Sequence, residues 1–265
     1  MNENFTSLVF FTVLSQTAVG ALIFRWLVFL KGGFEFTLPD FKRISLIVIV
    51  LLLFLSLAIA FLHLGNPVHA FHALNNLGKS WLSREIFSLS LLLATLLLYF
   101  VFFKKNNNEK TEMIIAMVSI ISGISLIYSM TKLYMIPSII TWNNPFTPIS
   151  FIITTFLCGI ILLAVITGKS NYKFIAIAAP FIAVLIISSL INSFLFPGTF
   201  LKGSFNLTII RIVLSILSLS VIALINFRFQ SNKIFILWVI LFLTVTSSEI
   251  INRFIFFLSF EKSGL

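Results

Sequence analysis

Eight stretches of about 20 predominantly apolar residues, each long enough to cross a bilayer as a helix, leave this chain few ways to fold. They run over 5–30, 42–63, 83–103, 111–131, 147–167, 172–196, 206–226 and 233–258. Inside hydrocarbon a segment must satisfy its own backbone, so each stretch reads as a helix. Turn residues punctuate the connections: Lys31-Gly32-Gly33, Gly65-Asn66-Pro67, Asn106-Asn107-Asn108, Asn143-Asn144-Pro145, Gly168-Lys169-Ser170, Pro197-Gly198 and Gln230-Ser231-Asn232. No connection is long enough for a soluble domain. The pattern predicts an all-α, polytopic membrane bundle of eight transmembrane helices, a single membrane domain over 1–265.

Composition agrees. The chain is 59% hydrophobic and 10% charged, with a mean hydropathy of +1.12, whereas soluble domains carry about 25% charged residues. A net charge of +10 would point to nucleic acid in a soluble protein. Here the Lys and Arg sit between apolar blocks, as topology-setting loops do, and no nucleic-acid partner is expected. The 32 Phe read as generic lipid-facing and packing material. The lone Cys158, inside an apolar block, excludes disulfides and a Cys-ligated metal. The start carries Glu3 in place of a positive n-region, and the first block is too long for a signal-peptide core, so it is expected to stay as a span.

Orientation follows from the positive charges. Ten Lys and Arg fall in loops 1–2, 3–4, 5–6 and 7–8, against six on the opposite side, with Arg25 and Arg211 inside spans. That bias puts both termini on the outer, periplasmic side. Arg25, near the inner end of the first span, is expected to snorkel to the interface. Pro180 stands where it can kink the sixth helix, and no matching broken helix elsewhere marks an inverted repeat.

Titratable groups are scarce, with only eight Asp and Glu in 265 residues. They gather beside the membrane at 62–86, which holds all three histidines, His63, His69 and His72, and then Arg84 and Glu85. His63 ends the second block and Glu85 begins the third, so antiparallel helices bring both to one depth near the outer interface. A neutral imidazole and a carboxylate can each accept a proton there. That pair matches a hydroquinone, whose oxidation releases two protons and two electrons. A capping role competes on equal terms: His63 can bond free carbonyls, and Glu85 in a first turn suits the helix dipole, with Ser83 as cap. His69 and His72 read as surface loop residues. Two haems across the bilayer would need four histidines at both faces, so no haem is expected.

A second polar group closes the chain. Glu249 and Arg253 stand i, i+4 on the eighth block in the favourable order for a pair, and Arg211 lies near the start of the seventh. With termini outside, all three share the outer half with His63 and Glu85. Interhelical glue is one reading. Lining of the same pocket, or a proton exit, is the other; Glu249→Gln would then slow turnover and spare assembly. No phosphate loop, zinc motif or serine-protease elbow occurs.

The run His63-Leu64-Gly65-x-Pro67-x-x-Ala70-Phe71, followed by Ser80-Trp81-Leu82-Ser83-Arg84-Glu85-Ile86, resembles the membrane anchor subunit of the anaerobic dimethyl sulfoxide reductases. Weaker similarity covers LVFFTVLSQTAVGALIF near the start and YSMTKLYMIPSIITWNNPFTPISF across the fourth connection. The resemblance implies a cofactor-free, eight-helix subunit of the bacterial inner membrane. Such a subunit holds an iron–sulfur electron-transfer subunit and a molybdopterin catalytic subunit, and it oxidises menaquinol. It also implies that His63 and Glu85 belong to the quinol site. Arg84, His69, Arg211, Glu249 and Arg253 are the candidates for further pocket or proton-exit residues on the residues alone. The family commonly has arginine two residues after the proline, where this chain has His69. A permanent charge is replaced there by one that titrates near neutrality. A small-solute or ion permease using the same polar pocket is the alternative, and a purely structural anchor the third reading.

Overall fold

The computed structural model describes residues 3–30, 39–63, 76–105, 109–167, 172–195, 204–227 and 234–260. They form eight helices: α1 (Glu3–Leu30), α2 (Pro39–His63), α3 (Trp81–Lys105), α4 (Glu109–Tyr134), α5 (Phe146–Thr167), α6 (Tyr172–Leu195), α7 (Phe205–Phe227) and α8 (Ile234–Leu258). No strand occurs among the described residues. Seven helices are long and apolar enough to cross a membrane, and in α6 the described apolar stretch, Ala179–Asn192, is shorter.

Local chemistry sets the helix ends. Proline at the first position suits α2, because its missing N–H would have no partner there. Ser80, not Ser83, caps α3: its hydroxyl accepts the Ser83 backbone N–H at 3.4 Å. The Asn144 carboxamide oxygen takes the Phe146 N–H at 2.9 Å where α5 begins.

The bundle is turned inside out relative to a soluble protein. On α4 the outward face carries Ile114, Ile121 and Ile124, while Ser119, Ser122 and Ser129 are buried. On α7 Ile209, Val213 and Ile216 are exposed, and Thr208, Arg211, Ser215 and Ser218 are buried. An apolar exterior around polar contacts is the arrangement lipid favours, since hydrocarbon gives no drive to bury leucine.

Helices α1 and α5 form the centre, and each touches α2, α4 and α8. Their backbones meet at glycine. A Cβ on Gly20 would collide with the Thr155 carbonyl, and one on Gly159 would collide with the Gly20 backbone. Such small-residue contacts are a main source of helix association in lipid. The α3–α4 hairpin is laced by Ser88 to Ser125 at 2.8 Å and Ser119 to Thr95 at 3.1 Å. The α7–α8 hairpin is laced by Ser215 to Ser248 at 3.1 Å and Ser218 to Thr244 at 3.0 Å.

One expectation needs correction. Arg25 does not snorkel; it is 4% exposed, donates to Ser45 Oγ at 3.1 Å and lies 5.5 Å from the Tyr99 ring. Tyr99 in turn donates to the Glu112 carboxylate. Ser45 on α2, Tyr99 on α3 and the Trp26 ring at 4.9 Å surround the guanidinium inside the bundle. The packing role expected of the phenylalanines is seen at the end of α8. Phe256 stacks on Trp142 at 5.0 Å, Phe257 meets Tyr134 at 5.2 Å, and Phe5 stacks on Phe257 at 5.9 Å. With Trp142 Nε1 donating to the Phe256 carbonyl at 2.8 Å, this cluster fastens the end of α8 to the loop between α4 and α5.

Candidate functional site

Glu85 stands on the fifth residue of α3, beyond the first turn, where no acidic residue lies. Capping does not account for it. The side chain is 4% exposed, and its Oε1 has no hydrogen-bond partner among the described residues. An unpaired buried carboxyl oxygen carries a desolvation penalty. His63 ends α2, at the same end of the bundle as the start of α3. The His63 side chain and all of His69 and His72 lie outside the described residues.

Arg84, one residue away, turns elsewhere. Its Nε donates to the Leu77 carbonyl at 3.0 Å and its Nη2 to the Gly78 carbonyl at 2.9 Å. The guanidinium lies 4.2 Å from the Trp81 ring centroid. It fastens the turn ahead of α3.

The second group assembles deep between helices. Glu249 on α8 accepts from Thr154 of α5 at 2.6 Å and from Ser189 of α6 at 2.6 Å. Its ion pair is with Arg211 of α7, at 3.6 Å, both groups nearly inaccessible. The i, i+4 pairing of Glu249 with Arg253 therefore gives way to a partner on another helix. Arg253 instead donates to Gln16 Oε1 on α1 at 3.0 Å, and its guanidinium lies 3.8 Å from the Phe151 ring centroid. The face of an aromatic ring offers a cation a desolvated partner that the crowded carboxylate cannot. Gln16 continues the chain to Met130 Sδ on α4 at 3.5 Å. Nε and Nη1 of both arginines are buried without partners among the described residues. Beside Glu249 a cavity of about 10 Å³ is lined by Ser189, Ser215, Ser218 and Ser248, about enough for one water.

Structure thus brings Arg211, Glu249 and Arg253 together. Tyr134, the last residue of α4, packs its ring 5.9 Å from Phe151, the ring under Arg253, and 5.2 Å from Phe257. Gln16, Tyr134, Thr154 and Ser189 escaped the sequence reading. Gln16 alone carried a signal, an amide inside an apolar span; serines and threonines are too common in such spans to stand out. Among the described residues no group of three or more His, Cys, Asp or Glu is arranged to hold a metal.

Fold and site define a class: a polytopic helical membrane protein with charged side chains buried between its helices. The profile described as "DMSO reductase anchor subunit (DmsC)" matches residues 1–258, and the chain belongs to that family. Curated relatives agree. The chain is 35% identical to the C chain of the anaerobic dimethyl sulfoxide reductase of Haemophilus influenzae over 165 residues, 58% of this chain and 56% of that protein. It is 31% identical to the YnfH chain of an anaerobic dimethyl sulfoxide reductase of Escherichia coli K12 over 183 residues, 67% of this chain and 63% of that one. A further relative in Escherichia coli K12, also a C chain of anaerobic dimethyl sulfoxide reductase, is 26% identical over 190 residues, 70% of this chain and 66% of the relative. The chain thus spans less than two thirds of the length of the first two relatives. The resemblance carried by the His63 and Glu85 motifs holds. Family and helices together make this a multi-pass membrane anchor of the bacterial inner membrane.

Proposed function

We propose that this chain anchors a dimethyl sulfoxide reductase-like molybdoenzyme complex and oxidises menaquinol for it. The observation that carries the reading is the buried Glu85 carboxyl, whose Oε1 has no hydrogen-bond partner among the described residues, at the end of the bundle where His63 closes α2. Menaquinol enters sideways from lipid near the outer face, its tail remaining in hydrocarbon. One hydroxyl proton passes to the Glu85 carboxylate and the other to the His63 imidazole, each within its ordinary acid–base chemistry. Two electrons leave with them, and the quinol becomes quinone. This chain supplies no redox group, so the electrons pass to an iron–sulfur subunit and then to a molybdopterin catalytic subunit. All eight helices cross the membrane in this reading, with both termini outside and no haem.

Replacing His63 by Ala tests it. In the assembled complex, menaquinol-dependent turnover falls by about 10²-fold or more, the scale of a lost proton acceptor. Reduction driven by an artificial donor fed to the catalytic subunits stays at the wild-type rate. Unchanged menaquinol turnover contradicts the proposal.

A further inference from the structure

The cavity beside Glu249 is walled by hydroxyls from three helices: Ser189 on α6, Ser215 and Ser218 on α7, and Ser248 on α8, with aliphatic side chains completing it. Each of these serines and Glu249 is at most 5% exposed. At about 10 Å³ the space takes one guest the size of a water and no larger one.

The wall decides which guest. A hydroxyl has one proton and two lone pairs, and here the protons are already spent. Ser189 donates to Glu249 Oε1 at 2.6 Å and Ser215 to the Arg211 carbonyl at 2.9 Å. Ser218 donates between the Leu214 carbonyl at 2.8 Å and Thr244 Oγ1 at 3.0 Å. With the Ser215 proton so used, Ser248 is the donor in the 3.1 Å contact between their hydroxyls. Oxygen lone pairs remain to face the cavity, so its guest must donate hydrogen bonds or carry positive charge.

Charge rules out the second. Glu249 already pairs with Arg211 at 3.6 Å. Arg253 adds another guanidinium behind Thr154, whose hydroxyl takes its Nη2 at 3.5 Å and donates to Glu249 Oε2 at 2.6 Å. A bound cation would join two buried guanidiniums around a single carboxylate, where like charges are poorly screened. The guest is therefore small, neutral and a donor.

We propose that this cavity is a binding site for a single water molecule, which donates into the oxygens of Glu249 and the serines and so joins α6, α7 and α8 through one guest. A buried water makes about three hydrogen bonds, and the wall has oxygens enough for them. The inference stands apart from the quinol reading. It also weighs against a permease working through this pocket. Toward the end of α7 and the start of α8, the same helices bury Ile222, Ile225, Leu241 and Trp238 in one apolar cluster. The hydroxyls of Ser218 and Thr244 thus lead onto packed side chains.

Near-atomic cryo-electron microscopy of the whole complex tests this, on unaltered protein and on Ser248→Val, which puts a methyl group where the water would sit. The unaltered complex is expected to show an isolated peak about 2.6–3.0 Å from at least two of the wall oxygens, and the Val variant to lose it. A cavity without that peak, in a map that resolves other buried waters, overturns the inference, as does a peak that persists in Ser248→Val. Thermal unfolding of the unaltered complex separates water from a cation. The unfolding temperature is expected to be the same in sodium and in choline at equal ionic strength; a higher value in sodium overturns the water assignment. If the Val chain fails to assemble, the unaltered map and the sodium exchange decide.

Discussion

At the scale of single residues, Glu249 shows what it takes to keep a charge between helices. Thr154 and Ser189 donate at 2.6 Å, and Arg211 stands at 3.6 Å. Removing the carboxylate alone leaves the Arg211 guanidinium buried and unpaired, so Glu249→Leu is expected to cost about 3–5 kcal/mol of stability. The paired change Glu249→Leu with Arg211→Met should cost far less, because no orphaned charge remains. Thermal unfolding of the two variants in detergent, side by side, checks this; equal losses would mean that the pair is not coupled. The three charges were visible in the sequence as intruders in apolar spans. Their partners were not. The spacing of Glu249 and Arg253 promised a pair on one helix, and tertiary packing offered each of them something nearer. Arg84 shows the same limit: adjacency to Glu85 in the chain said nothing about its turn toward the Leu77 and Gly78 carbonyls.

At the scale of helices, the meeting of α1 and α5 at Gly20 and Gly159 sets the centre of the bundle. Any side chain at either position meets backbone that cannot give way. Gly20→Val and Gly159→Val are each expected to abolish folded, monodisperse protein in detergent extracts. Gly78→Ala, where no atom lies within 4 Å of an added Cβ, should leave the yield unchanged. Normal yields of both Val variants would show that the helices do not approach as described. Which stretches become helices was plain from the sequence, because crossing hydrocarbon demands long apolar runs. Which helices touch was not, because the buried serines and threonines mark a helix's inward face without naming the helix it meets. Gly20 and Gly159 were present as small residues in apolar runs, but only the fold shows that they face each other.

At the scale of the whole molecule, buried polar groups stand at both ends of an apolar bundle, Arg25, Tyr99 and Glu112 at one and the candidate site at the other. Glu85 near the start of α3, Tyr134 at the end of α4, Arg211 near the start of α7 and Arg253 near the end of α8 share that end. That end is the proposed site of quinol oxidation, with Glu85 as a proton acceptor. Its most direct test is the steady-state turnover of the purified complex carrying Glu85→Gln, measured with menaquinol and with an artificial donor on the same preparation. The ratio of menaquinol to artificial-donor rate is expected to fall by about 10²-fold or more while the artificial-donor rate is unchanged. A ratio equal to that of the unaltered complex would contradict the claim.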